Sequence, residues 1–69
     1  MNLGQAIINL RKEKNLSQEQ LAFEADISRH FMYKIENNLA NPTVKTLEKL
    51  AAALYVNPSK ILLEAEKID

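Results

Sequence analysis

Residues 17–38 predict two short helical segments with almost no chain between them. Ser17 and Gln20 have the spacing of a capping box, in which each side chain satisfies a backbone amide at the start of a helix. Only Asp26 and Ile27 separate this segment from the next predicted cap. Two helices joined by so short a turn cannot lie antiparallel, so they must cross steeply. The remaining helices have to support this crossed pair.

Similar start signals recur along the chain. The predicted N-cap residues are Ser17, Ser28, Thr43 and Asn57, with Pro58 at the favoured first position of the last helix. Apolar residues at helical spacing predict helices at about residues 3–14, 29–37, 44–54 and 58–67, and a further helix that begins after Ser17. We therefore expect one all-α, five-helix domain over residues 1–69, with the crossed pair at about 17–38.

Composition limits what this domain can do. A chain of 69 residues buries only a thin core. It contains no cysteine and one histidine, so neither a disulfide nor a zinc site is expected, and no cofactor is predicted. No apolar run approaches the ~20 residues of a membrane span or suggests a signal peptide. These features favour a cytoplasmic protein.

The net charge of zero argues against nucleic acid as a partner, but the charges are unevenly distributed. Residues 1–16 and 27–49 each carry an excess of lysine and arginine. Residues 17–26 contain three carboxylates and no basic residue. Such asymmetry permits a local contact with DNA on a protein that is neutral overall.

The second helix of the pair has a distinct outer face. Its outward positions are Arg29, His30, Tyr33, Lys34 and Asn37. A helix fits the major groove of DNA, where polar side chains from its first turns reach base edges. Ordinary solvation of these charges, and surface packing of Tyr33, are the alternatives. Glu36 falls on the inner face beside Met32 and Ile35, where a buried carboxylate needs a partner, and Arg11 is the best candidate.

Four motifs carry a resemblance that covers about residues 3–63. They are LRKEKNLSQEQLA, IS, KIENN and NPTVKTLEKLAAAL. Together they resemble the phage-repressor/Cro-type (XRE) helix-turn-helix domains. The stretch SRHFMYKIENNLANPTVKTLE is also similar to the small controller proteins of restriction–modification systems. The resemblance implies a lambda-repressor-like fold that binds double-stranded DNA.

The resemblance also implies roles for individual residues. Gln18 matches a glutamine that contacts phosphate and braces the third helix. The positions expected at base edges or the nearby backbone are Arg29, His30, Tyr33 and Lys34. Those expected at the sugar-phosphate backbone are Ser28, Asn37 and Lys45. Arg11 and Glu36 match a structural ion pair between the first and third helices.

Three residues depart from the family pattern. Glycine is usual at the positions of Asp26 and Asn38, but aspartate and asparagine tolerate the left-handed conformation that these turns need. Phe31 replaces what is often a small polar residue. Its ring would touch DNA or cover the edge of the core.

We expect a homodimer that regulates transcription, with repression as the first expectation. It would bind a palindromic operator and place one recognition helix in each of two successive major grooves. The residues around the fifth helix that fit either the core or a two-fold interface are Tyr55, Val56, Leu62 and Leu63.

Activation of transcription through contact with polymerase is one alternative to repression. An antitoxin-like protein-interaction module of the same fold, with a toxin or another protein as partner, is the rival function. An enzyme is not expected, because the sequence offers no glycine loop, carboxylate pair or nucleophile–base pair.

Overall fold

The computed structural model describes residues 1–68, and within them it contains five helices and no strand. The helices are α1 (Leu3–Glu13), α2 (Gln18–Glu24), α3 (Arg29–Glu36), α4 (Val44–Ala53) and α5 (Pro58–Glu66). The all-α, five-helix architecture predicted from the sequence is confirmed, with helix limits that agree to about one residue. Across the described residues, no helix is both long and apolar enough to cross a membrane.

Local capping explains where the helices begin. Ser17 Oγ accepts a hydrogen bond from Gln20 N at 3.0 Å, and Gln20 Oε1 accepts one from Ser17 N at 2.7 Å, so the predicted capping box is present. The side chains of Ser28 and Thr43 cap α3 and α4. Asn57 departs from the prediction, because its side chain makes no capping hydrogen bond at the start of α5. Pro58 favours the start of this helix instead, since its ring presets the helical φ and it has no amide hydrogen to satisfy.

Within residues 1–68, four turns place a residue other than glycine in the left-handed conformation. These residues are Asn15, Asp26, Asn38 and Tyr55, with φ values of 58°, 56°, 58° and 58°. Asp26 and Asn38 were predicted to adopt this conformation, which aspartate and asparagine tolerate better than most residues. Tyr55 was not predicted, and the conformation is strained for an aromatic residue. It lies in the short connection between α4 and α5.

The core lies where all five helices meet. Its largest fully buried side chains are Ile7, Leu10, Leu21, Met32, Ile35, Leu50, Leu54 and Ile61. α1 packs against α3 and α5, and α2 packs against α3 and α4. Each helix buries one apolar stripe in this way. α3 is therefore held by its inner face, and its opposite face remains at the surface.

The first turn of α1 meets the C-terminal end of α3 backbone to backbone. A Cβ atom on Gly4 would lie 2.8 Å from Ile35 O, so no larger residue fits without displacing the backbone. Gly4 N donates a hydrogen bond to Asn38 Oδ1 at 3.0 Å, and Asn38 Nδ2 donates one to Asn2 Oδ1 at 2.8 Å. Asn2 N donates in turn to Ala65 O of α5 at 3.0 Å. These contacts fix the end of α3 against α1 and α5.

Candidate nucleic-acid interface

α3 presents one buried and one exposed face. Met32 and Ile35 are fully buried, whereas the exposed residues are Arg29, His30, Tyr33 and Asn37. Lys34 is partly buried. Tyr33 is 49% exposed. Within residues 1–68, His30 belongs to no cluster of histidine, cysteine, aspartate or glutamate that could hold a metal ion.

An ion pair beneath this face supports α3. Arg11 Nε donates to Glu36 Oε2 at 2.8 Å and Arg11 Nη2 donates to Glu36 Oε1 at 3.1 Å, so the guanidinium holds the carboxylate with two bonds. The two side chains are 13% and 2% exposed. Arg11 Nη1 also donates to Leu16 O at 2.9 Å, in the loop before α2. The partner that the buried carboxylate required is thus present in α1.

Gln18 joins the same network from the first position of α2. Its Nε2 donates to Glu36 Oε1 at 3.0 Å, so the carboxylate links side chains from α1, α2 and α3. This bond braces α3 against α2 at the crossing of the two helices. Gln18 is partly exposed, and its second amide hydrogen points to no protein acceptor among the described residues. That hydrogen remains able to meet a ligand such as a phosphate oxygen.

Arg29, at the start of α3, pairs with Glu19 of α2 across the turn. Arg29 Nη1 contacts Glu19 Oε2, and the two side chains are 68% and 70% exposed. Sequence reasoning missed this pair, because the spacing of ten residues follows no helical period. The only available signal was the opposite charge at the starts of two crossed helices. Exposed pairs contribute little to stability, so an external anion can exchange with Glu19.

The other residues predicted to contact DNA lie on α3, at its cap and in α4, and they differ in how many of their polar groups are already bonded. Ser28 Oγ accepts the cap bond from Phe31 N, which leaves its hydroxyl hydrogen free to donate. Asn37 Nδ2 donates to Tyr33 O at 2.9 Å, so one of its amide hydrogens is already used. Lys45 is exposed in the first turn of α4. Phe31 packs partly buried against the core, which favours the second of its two alternatives.

The residues around α5 divide between core and surface. Val56 is partly buried and packs against the core. Tyr55, Leu62 and Leu63 are 84%, 39% and 54% exposed. Beside them, Lys60 Nζ lies 2.9 Å from Glu64 Oε1, and this hydrogen bond raises the pKa of Lys60 and lowers that of Glu64.

The arrangement of α2 and α3 matches known proteins. The helix-turn-helix (HTH_3) family profile matches residues 7–61. The immunity repressor protein of Bacillus phage phi105 is 44% identical over 64 residues, which is 93% of this chain and 44% of the repressor. The chain therefore spans less than half of that relative.

Solved structures of related regulators have the same fold as this chain. The restriction–modification controller protein C.AhdI from Aeromonas hydrophila superimposes with a TM-score of 0.85 at 35% identity, covering 87% of this chain and 91% of that one. The biofilm regulator SinR, crystallised in complex with DNA, superimposes with a TM-score of 0.82 at 39% identity, covering 87% and 97%. The profile, the sequence identity and the structural superposition agree with one another. The chain belongs to the XRE-type helix-turn-helix family of DNA-binding transcriptional regulators.

Proposed function

We propose that this chain is a sequence-specific DNA-binding regulator, acting as a repressor, that inserts α3 into the major groove of double-stranded DNA. The observation that carries the proposal is the exposed Tyr33 on a helix whose opposite face is locked to the core by Met32, Ile35 and Glu36. A rigid helix with a solvated aromatic and polar face meets the geometric requirement for reading base edges. The proposal implies a cytoplasmic location, because the DNA would be bound there.

The proposed contacts fall into two classes. His30, Tyr33 and Lys34 would meet base edges, with Arg29 at an edge or the adjacent backbone. The proposed phosphate contacts are Gln18, Ser28, Asn37 and Lys45. Phosphate contacts set the register on the duplex and carry no sequence information, whereas base contacts select the site. Arg29 contacts Glu19 through Nη1 alone, and the exposure of that pair permits the guanidinium to exchange Glu19 for a DNA acceptor.

We also propose that the chain binds as a homodimer on a palindromic operator. Tyr55, Leu62 and Leu63 have exposed side chains in α5 and just before it, and Val56 is partly buried against the core. Pairing of this surface with its copy would bring two α3 helices into one dimer. Half-sites about 34 Å apart would match one turn of B-DNA.

Selection of bound sites from a random duplex pool tests the proposal. Enriched sites with two-fold symmetry support a homodimer, whereas an absence of any enriched sequence refutes specific recognition. Tyr33→Ala should then weaken binding to the selected site by about 1–3 kcal/mol, or roughly 5- to 150-fold, and relax preference at one base pair. Phe23→Ala is the matched control, because Phe23 is also an exposed aromatic but lies on α2.

Lys45→Ala separates the two classes of contact. If Lys45 meets a phosphate, its loss should weaken binding to all duplexes alike and lower the salt slope of log K by about one unit. Fluorescence anisotropy at several salt concentrations measures both quantities. A loss confined to the selected sequence would reassign Lys45 to base recognition.

A further inference from the structure

Asn38, just after α3, is one of the four residues with a left-handed backbone, together with Asn15, Asp26 and Tyr55. Within residues 1–68, it is the only one of the four whose side chain makes a hydrogen bond. A residue that serves only to form the turn needs no such partner, and glycine would form the turn at lower cost. The side chain of Asn38 therefore has a role besides the turn.

The side chain of Asn38 caps a different helix from the one that it ends. Its Oδ1 accepts the hydrogen bond from Gly4 N, the buried second amide of α1, which that helix cannot satisfy internally. Asn2 is the N-cap of α1, and its Oδ1 accepts both from Gln5 N at 3.0 Å and from Asn38 Nδ2 at 2.8 Å. The start of α1 and the end of α3 thus share one capping network, which we call the asparagine network.

The asparagine network fixes the end of α3 along the length of α1. Glu36 is bonded to Arg11 in the last turn of α1, whereas Asn38 is bonded to Gly4 in its first turn. Gly4 and Arg11 lie about two helical turns apart, or about 10 Å along the axis. Either attachment alone leaves the end of α3 free to slide along α1, but two attachments toward opposite ends of α1 prevent this.

The position of this end sets the tilt of the whole helix. Met32 and Ile35 hold the middle of α3 in the core, so a shift of its end changes the angle at which its outer face is presented. Lys34 and Asn37 lie in the C-terminal half, closest to the asparagine network, whereas His30 lies at the opposite end. A displacement of about one ångström is enough to break a hydrogen bond to a base edge.

We infer that Asn38 and Asn2 are positioning residues for sequence recognition. They fix the end of α3, and thereby determine which base edges its C-terminal half reaches, without touching DNA themselves. The inference rests on the proposed insertion of α3 into the major groove. Loss of the network should therefore change the sequence preference as well as the affinity.

Two variants remove the network in different ways. Asn38→Gly keeps a residue that forms the left-handed turn but removes both side-chain bonds. Asn2→Ser keeps a good N-cap for Gln5 N, but its shorter side chain should lose the bond from Asn38 Nδ2. Each variant should bind the site selected by the unmodified chain about two- to tenfold more weakly. Circular dichroism confirms that each variant is folded.

Selection from a random duplex pool gives the decisive comparison. In both variants, preference should relax at the base pairs that Lys34→Ala also relaxes, and should persist at those that His30→Ala relaxes. Destabilisation of the fold alone would weaken binding equally at every base pair. A uniform loss, or an unchanged preference, would therefore overturn the inference.

Asn15→Gly is the matched control, because Asn15 has the same φ of 58° after α1 and its side chain makes no hydrogen bond within residues 1–68. It should leave both affinity and preference unchanged. A change in preference equal to that of Asn38→Gly would assign the effect to the turn and overturn the inference.

Residual dipolar couplings of the backbone amides, measured without DNA, separate this inference from the proposed function. They report the angle between α3 and α1, which should change in Asn38→Gly and stay the same in Asn15→Gly. If the unmodified chain enriches no sequence, the proposed function fails and the inference fails with it. If it does enrich a sequence but the angle is unchanged in Asn38→Gly, the inference alone is overturned.

Discussion

Replacing Arg11 by methionine should destabilise the domain more than any other single change to a charged residue. Methionine keeps much of the apolar stem but removes the two bonds to Glu36 and the bond to Leu16 O. The Glu36 side chain, 2% exposed, is then a buried carboxylate with Gln18 as its remaining donor. Breaking a buried ion pair by removing one partner costs about 3–5 kcal/mol.

That cost is comparable to the whole stability expected of so small a domain, about 3–5 kcal/mol. With a shift of about 4–8 °C per kcal/mol, Arg11→Met should lower Tm by at least about 12 °C. Urea unfolding followed by circular dichroism gives the change in free energy. Protein concentration must be held constant, because a self-associating chain has a concentration-dependent stability.

The double variant Arg11→Met, Glu36→Leu separates loss of the pair from loss of packing. Removing both charges abolishes the buried carboxylate, so the double variant should be more stable than Arg11→Met by about 2 kcal/mol or more. The free energies of the single variants should therefore fail to add. Additive changes, or a loss below about 1 kcal/mol for Arg11→Met, would refute the reasoning that this pair holds α1 to α3.

Three further changes test other parts of the fold. Gly4→Ala should cost about 1–3 kcal/mol in urea unfolding, because the new Cβ meets the backbone of α3; an unchanged midpoint would mean that the two helices separate easily. Ser17→Ala should cost about 1 kcal/mol through loss of the capping box, and a neutral result would show that the cap is redundant. Tyr55→Gly should stabilise the monomer by about 0.5–1 kcal/mol by relieving the left-handed strain, while weakening self-association in sedimentation equilibrium. A loss of monomer stability would show that the exposed ring makes contacts that outweigh the strain.

Much of the fold followed from interactions between residues close in sequence. Ser17 and Gln20 lie three positions apart, and the same short range governs the caps at Ser28 and Thr43. The inner face of α3 followed from the helical period. The Arg11–Glu36 pair spans 25 residues, and it was inferred from the requirement that a buried carboxylate be compensated, together with the family pattern.

Other contacts had no local signal. The approach of Gly4 to Ile35 depends on how α1 and α3 pack. Gly4 has no positive φ, so the backbone conformation gives no separate reason for a glycine at that position. The Arg29–Glu19 pair forms because the crossing brings two exposed side chains together. Asn57 has the residue type of a good cap, yet its side chain does not make the bond. In the first two cases the deciding distance is set by the packing of whole helices.

The sequence by itself determined five helices, their limits, the inner face of α3 and the membership of a DNA-binding family. Those properties depend on backbone capping and on the period of apolar residues, which act over a few residues. Only the tertiary structure decided that Gln18 shares Glu36 with Arg11, and that Arg29 of α3 meets Glu19 of α2. Such juxtapositions arise from the close packing of separate helices, where displacements of about one ångström make or break a hydrogen bond.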